Sequence, residues 1–135
     1  MRADPYLFFR GKCAQAVEFY SRTLGAKVDA LVRFGDVPGS AADARDKVMH
    51  AALRVGDTIL LASDGAGDDG SRFAGFSISL QVDEDAEAER LFAVLADGGI
   101  VEVPLMSTPF ASRFGKLTDR FGTPWMIVTQ QRSTG

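Results

Sequence analysis

VMHAALRVGDTILLAS, residues 48–63, places two short apolar runs on either side of Gly56–Asp57. A two-residue turn of this kind between alternating runs is a hairpin signal, because glycine reaches the positive φ that the tight turn needs. In the first run Met49, Ala51, Leu53 and Val55 fall on one face, and Val48, His50, Ala52 and Arg54 on the other. A period of two marks a strand with unlike faces. The first face is apolar and predicts contact with a core. The second carries the chain's single histidine four residues from an arginine, both pointing the same way.

The flanking sequence fits around this hairpin. PYLFFR (5–10) reads as a short apolar strand ended by Gly11 and Lys12. In CAQAVEFYSRTLG, residues Ala16, Val17, Phe19, Tyr20 and Leu24 recur as on one stripe of a helix, and Gly25 stands where a left-handed C-cap stops one. KVDALVRFG reads as a strand, DVPGSAADARD (36–46) as a loop, and DGAGDDGSR (64–72) as a mobile linker. The order then restarts. GFSISLQV (75–82) alternates Phe76, Ile78, Leu80 and Val82 against Ser77, Ser79 and Gln81. DEDAEAERLFAVLADGG is a helix with acidic residues in its first turns, where the macrodipole favours them. IVEVPLMS, SRFGKLTD and TPWMIVT supply three further strands. Strand, helix and three strands, written twice, favour a mostly antiparallel α+β arrangement over a parallel βαβ sheet. The reading is one domain, 1–135, with modules at about 4–64 and 75–130 and a linker at about 64–74.

Bulk properties narrow the function. A chain of 135 residues is the size of one domain with a substantial core. A net charge of −3 and a pI near 5.1 argue against nucleic acid, whose binders carry a basic excess. No apolar run approaches the roughly 20 residues that span a bilayer. MRADPYLFF lacks the apolar core and cleavage site of a secretory signal, so the expected location is cytoplasmic. One cysteine leaves neither an internal disulfide nor a cysteine-rich zinc module.

AVEFYSRTLGAKV, KVMHAALRVGDTILLASD and FGKLTDRFGTPWMIV resemble the vicinal-oxygen-chelate superfamily of glyoxalase I, bleomycin-resistance proteins and extradiol dioxygenases. The FYxxxLGA helix ending is shared across the superfamily, while the MHAxL run and the DRFGxxW ending resemble its PhnB-like branch. The likeness spans roughly residues 5–130. It implies two βαβββ modules, each rolling a sheet into half of a cup with its helix outside. On that architecture His50, Ala52 and Arg54 are expected to face the cavity, with Ser77, Ser79 and Gln81 from the second module. Leu7 and Phe9 are expected to line it too, while Tyr6 and Phe8 pack outward. Met126 and Val128 would complete an apolar wall.

Superfamily enzymes commonly hold a divalent metal through a His or Glu from two strands of each module. Matching the motifs places Pro5, Ser77, Met126 and Leu60 or Leu61 at those positions, none of them a good ligand. The expectation is therefore no cofactor and no metal ligands, with a divalent metal as the opposing reading. His50 has two readings: a strand histidine that shapes the cup, or a general base or anion-binding group, the best candidate for catalysis. Cys13 opens the first helix, where the dipole could favour a thiolate, but a small packing residue is the plainer account. Ser77 and Ser79 lack a nucleophile elbow, and GDDG (67–70) does not have the spacing of a calcium loop. Trp125, Phe114 and Phe121 read as core or dimer contacts, with an aromatic wall for a planar ligand as the other reading.

These readings converge on a binder of a small organic molecule, working as a homodimer without nucleic acid or membrane. Two alternatives stand beside it: a metal-dependent lyase, isomerase or transferase of the glyoxalase type, and a structural or partner-binding dimer. An old label of the branch is demethylubiquinone methyltransferase. The sequence has no glycine-rich strand-to-helix turn followed by an acidic ribose partner to hold a methyl donor.

Overall fold

The computed structural model describes residues 1–39, 44–65 and 70–130. The elements run β1 (Tyr6–Phe8), α1 (Cys13–Leu24), β2 (Lys27–Arg33), β3 (Val48–Val55), β4 (Thr58–Ser63), β5 (Ile78–Val82), α2 (Asp85–Ala96), β6 (Ile100–Thr108), β7 (Ala111–Thr118) and β8 (Pro124–Gln130). A 3₁₀ turn, Phe34–Asp36, follows β2. The chain divides into two compact units, Met1–Ser71 and Arg72–Gly135. The middle of the loop read at 36–46, residues 40–43, and residues 66–69 of the linker lie outside the described residues.

In the first unit the sheet order is β1-β4-β3-β2, and in the second β5-β8-β7-β6. Each sheet has one parallel contact, β1 on β4 and β5 on β8, and is otherwise antiparallel. The βαβββ unit therefore occurs twice. The hairpin at Gly56–Asp57 forms as read, with Val55 opposite Thr58 and Gly56 at φ +56°.

Each unit has its own core between helix and sheet. In the first, α1 buries Cys13, Ala16, Val17, Phe19 and Tyr20, and ends at Gly25 in the left-handed region. Ala51, Leu53, Leu60 and Ala62 meet it from the sheet, all at 1% exposure or less. In the second, α2 buries Ala88, Leu91, Phe92 and Leu95, while Leu117, Trp125 and Ile127 are buried on the sheet.

Two readings need correction. The strand expected from residue 75 begins at Ile78, where pairing with Trp125 starts. Phe76 precedes that pairing and is exposed, its ring edge-on to Phe73 at 6.1 Å instead of under the helix. Asp64, read as the start of a mobile linker, is buried at 2% exposure.

Candidate functional site

The open face of the first unit is organised around His50. Its Nδ1 lies 2.9 Å from the Tyr6 hydroxyl, a hydrogen bond whose direction depends on the imidazole tautomer. The two rings are tilted at 45°, centroids 5.7 Å apart. Tyr6 stacks on Phe8 at 5.1 Å and 23°. Strand register explains the grouping. Tyr6 is level with Leu61, which is level with Ala52, and Ala52 shares a face with His50 and Arg54. Phe8 in turn rests on Gly65, where an added Cβ would stand 3.2 Å from its Cδ1.

Arg54 ends the same face. Its Nε and Nη2 donate to Asp29 Oδ2 at 3.2 and 2.9 Å, a surface pair that orients the guanidinium more than it stabilises the fold. An open cleft of about 540 Å³ adjoins it, lined by Arg2, Asp4, Pro5, Arg54, Asp57 and Ile59 among others. That volume lies within the usual range for small-molecule sites. Arg2 and Asp4 pair with each other on its wall at 2.8 Å.

The face expected of β1 is reversed. Leu7 and Phe9 are each 3% exposed and belong to the core: Phe9 meets Tyr20 of α1, and Leu7 is level with buried Ala62. Tyr6 and Phe8 take the open side beside His50. Parallel pairing with β4 fixes this phase, since Tyr6 must follow Leu61 and Leu7 must follow Ala62. In YLFF every residue is apolar or aromatic, so alternation is silent there. The phenolic hydroxyl was the one signal that could have placed Tyr6 beside the histidine.

The remaining predicted residues belong to the second unit. Ser79 and Gln81 are exposed on β5, level with Met126 and Val128 of β8, opposite the buried Trp125 and Ile127. Ser77 is half-buried just before β5. Among the described residues no group of three or more His, Cys, Asp or Glu could hold a metal ion.

Residues 2–128 match the model of a family described as 3-demethylubiquinone-9 3-methyltransferase. Protein YjdN of Escherichia coli K12 is 35% identical over 99% of both chains. The crystal structure of PA1353 from Pseudomonas aeruginosa is 47% identical, with a TM-score of 0.89 over 98% of this chain and 99% of that one. A PhnB protein from Bacillus cereus shares the fold at 23% identity, with a TM-score of 0.84 over 96% of this chain and 99% of its own. The chain belongs to this PhnB-like family. Its fold is that of the glyoxalase, bleomycin-resistance and dioxygenase domains.

The DRFGTPW motif of this PhnB-like chain has a structural use. Asp119, 3% exposed, accepts hydrogen bonds from the backbone N–H of Phe121 and Thr123 and from Trp125 Nε1 at 2.8, 3.0 and 2.9 Å. The turn between β7 and β8 is thereby tied to the largest buried side chain. Asp64 does related work in the first unit. It accepts from the N–H groups of Gly11, Cys13 and Val48 at 2.7, 2.9 and 2.8 Å, capping α1 from another strand's end. Burial, with Asp64 beside it, pushes the Cys13 thiol up to about 12, against a weaker opposing pull from Arg33. That favours the neutral packing residue over the reactive thiolate.

Proposed function

We propose that this PhnB-like chain binds a small organic molecule without a metal, on the open face around His50. The carrying observation is the Tyr6–His50 hydrogen bond on a sheet face whose other end, at Arg54 and Ile59, opens into a cleft. Polar groups held in place on an otherwise apolar, aromatic surface are what orient a small ligand. Ala52, Leu61 and Ile59 make the floor and Tyr6 and Phe8 the aromatic part, while Arg54 marks the far end. From His50 to Arg54 is four residues of strand, about 13 Å. The second unit's Ser79, Gln81 and Met126 make a comparable face of polar points over an apolar residue, and a ligand role for them is part of the proposal.

The metal-free element rests on donor chemistry. Pro5, Ser77, Met126 and Leu60 or Leu61 supply a hydroxyl and a thioether where a divalent ion would need imidazole and carboxylate. Nothing in the sequence matches a methyl-donor fingerprint, so the family's description is not carried over as an activity. The working form in this reading is a homodimer in the cytoplasm.

His50 is the chain's one histidine, so its ring gives a single set of NMR signals. Elemental analysis of tag-free protein, thermal shifts with Ni, Mn, Zn, Mg and Fe(II), and a library screen on those signals test the reading together. The expected result is no stoichiometric metal and ring signals that move with some compounds. Stoichiometric metal, or a thermal shift with one ion that His50→Ala abolishes, would replace it with metal-dependent glyoxalase-type chemistry.

A further inference from the structure

The second unit repeats the open face of the first with a charge at its centre. In the first unit Tyr6, Leu61, Ala52 and Ala30 stand level across the four strands. In the second the matching row is Ser79, Met126, Lys116 and Val103. Lys116 thus takes the place of Ala52, on an inner strand of its sheet. Its neighbours along β7, Gly115 and Leu117, are buried, Gly115 against Phe92 of α2, so Lys116 is on the face away from the helix. An alanine serves the fold at this place in the first unit. The sheet itself does not call for a lysine.

Lys116 is half-buried and takes part in no ion pair among the described residues. The other cations of β7 and the turn after it are held. Arg113 meets Asp85 and Glu89 of α2 at 3.5 and 3.3 Å, and Arg120 meets Asp97 at 3.2 Å. An ammonium that has given up part of its water without gaining a carboxylate carries a cost that an arriving anion offsets. Ser79 and Gln81 are exposed on β5 and offer a hydroxyl and an amide as further donors. The ground between them is apolar. Met126 separates Lys116 from Ser79, and Val128 and Phe114 form the next row along the strands with Gln81. On the opposite side of Lys116 stands Thr118, whose hydroxyl donates to Glu102 Oε1 at 2.6 Å. That carboxylate repels a second negative charge, and leaves the Val128–Phe114 side for an apolar body.

Resting on the ligand role proposed for this face, we infer that the second unit binds an organic monoanion, a carboxylate on an apolar body. The carboxylate sits over Met126, one strand spacing of about 4.8 Å from both β7 and β5. Lys116 Nζ and Ser79 Oγ donate to it, and the body lies on Val128 and Phe114. All of these residues belong to the second unit.

Isotope labelling of the four methionine methyls lets Met126 report this face, while the His50 ring reports the other. 2-Naphthoate carries a body and one charge, 2-naphthylmethanol the body alone, acetate the charge alone, and 2-naphthyl phosphate the body with a second charge. 2-Naphthoate should move the Met126 methyl signal and bind at least about tenfold tighter than 2-naphthylmethanol or acetate, the worth of one charge-assisted hydrogen bond or of the covered body. Lys116→Gln removes the charge and keeps most of the stem. It should bring 2-naphthoate to the affinity of 2-naphthylmethanol and leave the alcohol unchanged, at unchanged circular dichroism. Equal binding of 2-naphthoate and the alcohol by the unaltered protein overturns the inference, and makes Lys116 a side chain whose stem covers apolar surface. A 2-naphthoate affinity that Lys116→Gln does not lower overturns it too. Acetate binding as tightly as 2-naphthoate removes the apolar body, and tighter binding of the phosphate removes the single charge. If library compounds move the His50 signals and none of these probes moves Met126, this inference falls and the binding reading stands. If no compound moves either signal, both fall.

Discussion

Asp119 shows how one side chain can carry a turn. Its carboxylate takes three N–H donors in a site that is 3% exposed, so removing an acceptor leaves buried donors without partners. Asp119→Asn turns one acceptor into a donor facing a donor, and should cost about 2–3 kcal/mol. Urea unfolding followed by fluorescence of Trp125, the only tryptophan, reads this as a lower midpoint at unchanged slope. Cys13 makes the opposite kind of prediction. With its pKa raised from an ordinary 9.0 to about 12, its thiolate fraction at pH 8 is about a thousandfold lower than that of a free thiol. Ellman's reagent should react with it only as fast as the protein opens. The raised pKa means the folded state holds its proton more tightly, so this contribution to stability is whole below pH 9 and is lost as pH climbs from 9 toward 12. At this scale the sequence was partly legible. The position of His50 on a mixed face followed from alternation alone. Its partner Tyr6 did not, because register with β4, set across 55 residues of chain from Tyr6 to Leu61, chose the side.

Elements were more legible than their ends. Both helices and the central hairpin follow from periodicity and glycine stops, which are local signals. The start of β5 depended on where β8 begins to pair, a contact that no window of sequence contains. The close approach at Gly115 was equally hidden. There β7 passes so near α2 and β6 that an added Cβ would stand 2.6 Å from Phe92 Cε2, 3.0 Å from Leu105 Cα and 3.1 Å from the Val103 carbonyl oxygen. Two of these neighbours are backbone, in a stretch of β6 whose pairing with β7 already shifts between Val103 and Met106. They cannot swing aside as a side chain could. Gly115→Ala should therefore cost about 1–3 kcal/mol by overpacking, read as a lower melting temperature. Gly56→Ala has open space around it and loses only the left-handed backbone preference, so it should cost about 1 kcal/mol. A reversed order of the two melting temperatures would mean that β6 yields at that crossing.

At the scale of the whole molecule, the exposed apolar residues of the second unit bear on the proposed homodimer. Ile100 at 67%, Val101 at 46% and Met106 at 45% lie on β6, and Phe110 at 63% lies in the turn that follows. β6 is also an edge of its sheet. An apolar edge strand is a liability in a lone molecule, and natural chains blunt such edges or cover them. Pro104 blunts this one in part, since it has no N–H to offer an incoming strand. That leaves side-chain burial rather than continued pairing as the main source of any association along it. A second copy of the chain would place the same patch on both subunits, as two-fold symmetry requires. Sedimentation equilibrium at micromolar concentration should then give 29 kDa, twice the chain mass of 14.5 kDa. Ile100→Lys with Phe110→Lys puts two charges into that patch and should return 14.5 kDa at unchanged circular dichroism. A wild-type mass of 14.5 kDa would remove the dimer from the proposal. A variant that stays at twice that mass would move the interface away from β6 and toward other exposed apolar positions, such as Phe8, Val28 or Phe76.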